Sequence, residues 1–120
     1  ELYHPTARSY LNEGIVIKHA SSRRYTTDAF SDAMTRLLCE ECSVPVQEFR
    51  NRADLPGGGT LGTISATHVS VPAADIGLSQ LAMHSAYETC SVRDVSYLTA
   101  LAEHFFSVSL LYADGGARWE

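Results

Sequence analysis

The chain has 120 residues, 45% hydrophobic and 19% charged, with a formal net charge of −5, enough for one domain with a modest core and too short for two. The acidic balance argues against a nucleic-acid partner, which would select a basic stripe, whereas the only tight basic group is Lys18, Arg23 and Arg24. No apolar run approaches the ~20 residues of a membrane span and the start is not a charged-then-apolar leader, so the expectation is a soluble cytoplasmic protein with no membrane partner.

Residues 1–12 are polar and without period, which suits a connecting loop, and Gly14 ends it. Ile15, Val16 and Ile17 form a β-branched run fit for a buried strand that closes at Lys18 and His19. A polar turn over residues 20–24 leads to Thr26 or Thr27 as helix cap, with Asp28 favourable at the positive end. Ala29, Phe30, Ala33, Met34, Leu37 and Leu38 recur at helical spacing, so the spacing predicts a helix to about Ser43, where Pro45 stops it. Val46 to Asn51 reads as a second, partly exposed strand.

The glycine run Gly57, Gly58, Gly59 follows, and Thr60 to about His68 suits a short helix. Val69 to Ile76 is expected as the third strand, interrupted at Pro72, with a turn at Asp75-Ile76-Gly77 before the segment that delivers His84. Ser91-Val92-Arg93-Asp94 approximates a capping box, and Val95, Leu98, Ala102, Phe105 and Phe106 make an apolar face through about Ser109. Residues 113–120 are expected to be a loose tail. Strands alternating with helices imply an α/β fold, a three-layer-type sheet with flanking helices. Three strands leave two open edges, so the sheet should be completed by further segments or should associate.

Three cysteines, Cys39, Cys42 and Cys90, cannot all pair within one chain, which favours a reducing compartment. Cys39 and Cys42 have zinc-motif spacing but lie late in a helix without a second metal pair, so the spacing reads as incidental. His19, His68 and His104 carry no motif and are expected on the surface or a helix face. On residues alone, a lone histidine on an apolar segment such as His84 is more often a hydrogen-bonded core residue than a ligand.

Several segments, taken in order, resemble one family. They are Gly14-Ile15-Val16-Ile17-Lys18, then Arg24-Tyr25-Thr26-Thr27-Asp28-Ala29 with Ser31, then Val44-Pro45-Val46-Gln47, then Asp54 to Gly62, and finally Asp75-Ile76-Gly77 with Gln80 to Ser85. The resemblance is to the aspartyl aminopeptidase family of zinc metallopeptidases, over roughly residues 4 to 106. The family's proteins are several times longer, so residues 1–120 resemble the carboxy-terminal part of a peptidase domain. Ile15 replaces the family's proline, Thr6 its asparagine after His4-Pro5, and Gly59 a residue that is often polar.

The resemblance implies removal of amino-terminal aspartate or glutamate from peptides by a site with two zinc ions, in which His84 is one metal ligand. The other ligands and the general base come from sequence not in this chain, so the chain alone should be inactive and no catalytic residue is assigned. Lys18 is implied to recognise the substrate's acidic side chain. Tyr25, Gly58, Gly59 and Met83 are implied to line the substrate pocket, and His4 to make a subunit contact in a homo-oligomer. The alternative is a non-catalytic α/β binding or assembly module derived from the same scaffold.

Overall fold

The computed structural model of the protein describes residues 8–52, 54, 58–113 and 116–120. Its centre is strand β1 (Ile15–His19), which pairs in parallel with β2 (Val46–Arg50) on one side and antiparallel with β3 (Ile76–Leu78) on the other, giving the order β2-β1-β3. Helix α1 (Ala29–Glu41) connects the parallel pair, as a parallel crossover requires. The short helix α2 (Leu61–Ser65) follows β2, and two small antiparallel ladders complete the chain: β4 (Gln80–Leu81) with β5 (Thr89–Cys90), and β6 (Leu110–Ala113) with β7 (Gly116–Trp119), flanking helix α3 (Val92–Ser107). The expected α/β class is observed.

The β-branched run of β1 is buried on both faces, with Ile15 and Ile17 fully enclosed and Val16 nearly so. Each contributes about 1.5–3 kcal/mol by leaving water. Ile15 joins Leu38 and Cys39 of α1, Val44, and Leu101 of α3 in one cluster, so both long helices share the core formed on the Ile15 side of the sheet. On α1 the buried positions are Ser31, Met34, Leu38 and Cys39, while Leu37 is exposed, so the buried stripe is turned slightly from the expected one.

The start of β1 is held by one glycine and one carboxylate. Gly14 has φ +95°, and a Cβ there would lie 2.0 Å from the Pro45 carbonyl oxygen, so only glycine lets the chain turn into the strand at this spot. Its N–H donates to Asp94 Oδ1 at 3.0 Å, and the Asn12 N–H donates to Asp94 Oδ2 at 2.8 Å. Asp94 is therefore a fully buried anchor and does not close a capping box, although Ser91 does cap α3 by accepting from the Arg93 N–H. Asp94, Tyr97, Leu98 and Leu101 form the inner stripe of α3; Val95 and Phe106, expected inside, lie off that stripe and are exposed, while Phe105 lies on it and is half-exposed beside Trp119.

Other expectations shift locally. The cap of α1 is Asp28, which accepts from the Ser31 N–H at 2.8 Å while the Ser31 hydroxyl accepts from the Asp28 N–H at 2.9 Å, a reciprocal pair that Thr26 and Thr27 do not make. The third strand is shorter and later than expected: residues 69–75 are not strand, and Ile76 and Gly77 of the expected Asp75-Ile76-Gly77 turn open β3, because they pair with Ile17 and Val16. Within the stretch expected to be loose, Gly116–Trp119 forms β7, and Trp119 packs edge-on against Phe105 with ring centroids 6.2 Å apart. No helix among the described residues is long and apolar enough to cross a membrane.

Candidate functional site

Alternation along β1 places Val16 and Lys18 on the sheet face opposite Ile15 and Ile17. Antiparallel pairing puts Gly77 and Asp75 of the neighbouring segment on that same face, because Val16 pairs with Gly77 and the Lys18 N–H donates to the Asp75 carbonyl at 2.9 Å. Lys18 Nζ lies 3.4 Å from Asp75 Oδ1, with Lys18 30% and Asp75 9% exposed. With its lysine end still reached by water, this partly buried pair contributes only about 1 kcal/mol to stability, so its interest is in where it holds the ammonium.

Four further residues define that place. Thr60 donates its hydroxyl to Asp75 Oδ2, and the Thr27 hydroxyl accepts from the Asp75 N–H at 2.8 Å. Gly77 leaves room for the lysine stem, since a Cβ there would lie 3.1 Å from Lys18 Cε. The Tyr25 ring centroid is 5.8 Å from Lys18 Nζ, within cation–π range, and Tyr25 itself meets Phe49 edge-on at 6.3 Å. Strand ends, the start of α1 and the loop before α2 thus converge on one cation. Gly62 permits the last of these to come close, for a Cβ there would meet the Thr26 side chain at 3.0 Å.

The structure therefore brings Lys18 and Tyr25 together and ties the glycine loop to them through Thr60. Gly58 and Gly59 themselves are exposed, and a Cβ on either would meet nothing within 4 Å, so neither is forced by close packing within this chain. Gly57 and His4 lie outside the described residues. Asp75, Thr60 and Gly77 are the members that sequence reasoning missed as site components. Asp75 and Gly77 were legible as a motif, but their side of the sheet depends on an antiparallel partner some 60 residues away in sequence.

His84 and Met83 belong to a second locality, the exposed loop between β4 and β5. His84 takes a left-handed conformation with φ 68°, and its N–H donates to the Glu88 carboxylate. Among the described residues no three His, Cys, Asp or Glu side chains are grouped to hold a metal ion, so these residues do not by themselves assemble a zinc site around His84. Cys39 is in the core, where burial pushes its thiol up to about 11, and Cys42 donates its thiol to the Leu38 carbonyl. Cys39 is thus a structural thiol of the core, and Cys42 is held against the last turn of α1. His19 lies 3.4 Å from Asp32 of α1, and His104 bridges α3 to Glu41 of α1 at 2.6 Å, so both make contacts on helix faces, while His68 is exposed.

An apolar groove of about 740 Å³ runs between α1 and α3, lined by Phe30, Met34, Leu101, Phe105 and Trp119 among others. None of the predicted site residues lines it, and its polar lining is limited to groups such as Ser31 and Thr35, so it offers no hydrolytic chemistry.

A profile of the aminopeptidase I zinc metalloprotease (M18) family matches residues 1–106. The chain is 45% identical over 104 residues to a probable M18 family aminopeptidase 2 of Clostridium novyi, covering 87% of this chain and 24% of that protein. Among solved structures it is similar to a chain of the Ape4 and Nbr1 complex, at TM-score 0.84 and 34% identity over 87% of this chain and 20% of that one. It is also similar to a chain of the S. cerevisiae mApe1 dodecamer, at TM-score 0.74 and 25% identity over 88% of this chain and 22% of that one. The chain spans about a quarter of the length of these relatives. With nearly its whole length inside the matched region and its sheet and helices superimposing on theirs, the chain belongs to the aminopeptidase I zinc metalloprotease (M18) family.

Proposed function

We propose that this chain supplies the substrate-recognising cation and one metal ligand of a zinc-dependent aminopeptidase that removes amino-terminal aspartate or glutamate from peptides. The observation that carries the reading is Lys18: an ammonium at a strand end, 30% exposed, restrained by a buried carboxylate and beside a tyrosine ring. An ammonium has three donors, and one carboxylate oxygen of Asp75 leaves others for a ligand. Two zinc ions would supply a polarised carbonyl and an activated water. Because no metal-binding group is assembled among the described residues, the role assigned to this chain is substrate positioning, with His84 completing a site whose other ligands lie elsewhere in the working enzyme. Peptides with an acidic amino terminus are the proposed partners, within a homo-oligomer in the cytoplasm. The mApe1 relative, solved as a dodecamer, and the three free cysteines support those last two points.

The test is Lys18→Met in a complete peptidase that carries this segment. Loss of a hydrogen-bonded charge facing the substrate carboxylate should cost roughly 2 to 3 kcal/mol of transition-state binding. The value of kcat/KM on a glutamyl or aspartyl substrate should then fall about 30- to 150-fold while a leucyl substrate holds or improves. Equal falls on both would refute the assignment. The absence of a grouped ligand set among the described residues favours a second reading, a non-catalytic module on the same scaffold. Zinc-dependent turnover by the protein as it occurs in the cell would exclude it.

A further inference from the structure

The charge that faces Lys18 most closely belongs to the chain itself, and the proposed function gives it no task. Asp75 is 9% exposed, far less than its partner lysine, and both its carboxylate oxygens are engaged: Oδ1 with Lys18 Nζ at 3.4 Å and Oδ2 by the Thr60 hydroxyl. Its backbone is pinned as well, the N–H by Thr27 and the carbonyl by the Lys18 N–H. Asp75 is thus the fixed member of the pair and Lys18 the adjustable one. A lysine has four rotatable side-chain bonds, and an unrestrained ammonium must give up that freedom when it binds a ligand. Here the freedom is already reduced. The stem lies across Gly77, with 3.1 Å from a notional Cβ to Cε, and the ammonium is tethered at its tip.

We propose that Asp75, held by Thr60 and Thr27, is a positioning residue that presets the Lys18 ammonium for a substrate carboxylate, so that acid specificity depends on the Asp75–Thr60 contact as well as on Lys18. This deepens the reading of Lys18 as the acid-recognising cation and rests on it. Two effects of Asp75 oppose each other. Its negative charge repels an incoming carboxylate, while its grip places the cation and removes an ordering cost from binding. The buried, doubly engaged carboxylate favours the second, because a group serving only to repel would need neither the threonine hydroxyl nor burial. Thr60 also links the effect to the glycine loop, whose residues Gly58 and Gly59 precede it directly.

The experiment measures kcat and KM separately for a glutamyl and a leucyl substrate in a complete peptidase carrying this segment. Asp75→Asn is nearly isosteric and removes the charge. It should raise KM for the glutamyl substrate about 5- to 20-fold more than for the leucyl one, with the smaller change in kcat. Thr60→Val, which keeps the shape and deletes the donor, should shift the ratio in the same direction by about 2- to 5-fold, and Thr60→Ser should restore it. An unchanged or increased preference for glutamyl substrate in Asp75→Asn would overturn the proposal, as would parallel losses on both substrates, which mark a merely structural carboxylate. If Asp75→Asn does not fold by circular dichroism, the Thr60→Val and Thr60→Ser pair decides alone. Lys18→Met is the parallel control. A lost ratio in Lys18→Met with intact ratios in the other variants rejects the positioning role only, whereas an intact ratio in Lys18→Met rejects acid recognition by this lysine and the inference with it.

Discussion

Replacing Gly14 with alanine should destabilise the 120-residue chain by several kcal/mol, although the change adds a single methyl group. At φ +95° an L-residue is strained by about 1–3 kcal/mol. The added Cβ would also lie 2.0 Å from the Pro45 carbonyl oxygen and 2.6 Å from its carbon, both backbone atoms. Relief requires β1 and the start of β2 to separate, and the bonds lost first are the 2.9 Å contact from the Ile15 N–H to Pro45 and the 3.0 Å contact from the Gly14 N–H to Asp94. A neutral hydrogen bond contributes about 1 kcal/mol and one to a buried carboxylate about 1.5–3. The expected destabilisation is therefore about 3.5–7 kcal/mol, against a total stability of roughly 5–15 kcal/mol for a domain. Equilibrium urea denaturation, followed by far-ultraviolet circular dichroism and by the fluorescence of the single tryptophan, Trp119, measures it. A loss below about 1 kcal/mol would refute the argument, because it would mean that the turn into β1 can be remade around a side chain at little cost.

Asp94→Asn should destabilise the same chain by about 1–3 kcal/mol, since the amide turns a donor toward one of two N–H groups, the buried one of Gly14 or the part-buried one of Asn12, that both use its carboxylate as acceptor; a change within 0.5 kcal/mol in urea denaturation would contradict this. Asp28→Ala should cost about 1 kcal/mol through loss of the α1 cap. The Ser31 N–H and hydroxyl hold the Asp28 carboxyl below its ordinary 3.8, so its contribution is fully present above that value and lost as the pH falls through the lower folded-state value. Asp28→Asn, which caps without titrating, should therefore narrow its Tm gap to the parent below pH 4, and a gap independent of pH would refute the linkage. His84→Ala should leave the fold of the 120-residue chain intact, because the residue is exposed, while removing one zinc and nearly all turnover from a complete peptidase carrying it. Normal metal content and activity would reject His84 as a ligand.

Local chemistry was written plainly in the chain wherever one short-range effect dominates. The β-branched run Ile15 to Ile17 could only be a buried strand, the spacing of Ala29 to Leu38 required a helix, and Ser91 marked the start of α3, because burial and capping act over a few neighbouring residues. The ordered motifs, including Lys18, Tyr25 and His84, were enough to indicate the family. What the sequence left open depends on partners far along the chain. Asp94 looked like a capping acid until Asn12 and Gly14, some 80 residues earlier, turned out to need its carboxylate, and that demand brings the Asp94 side of α3 inward and leaves Val95 and Phe106 off the buried stripe. Asp75 and Gly77 read as a turn because three residues carry too little periodicity to declare a strand, and only pairing with β1 stretched them out and brought them beside Lys18. Residues after 113 looked loose because glycine lowers strand propensity, yet the β6–β7 pairing supplies a ladder and Phe105 gives Trp119 a surface to cover. In each case a backbone hydrogen-bonding group or an apolar face had a distant partner, and its free energy outweighed the weaker local preference that the sequence expresses.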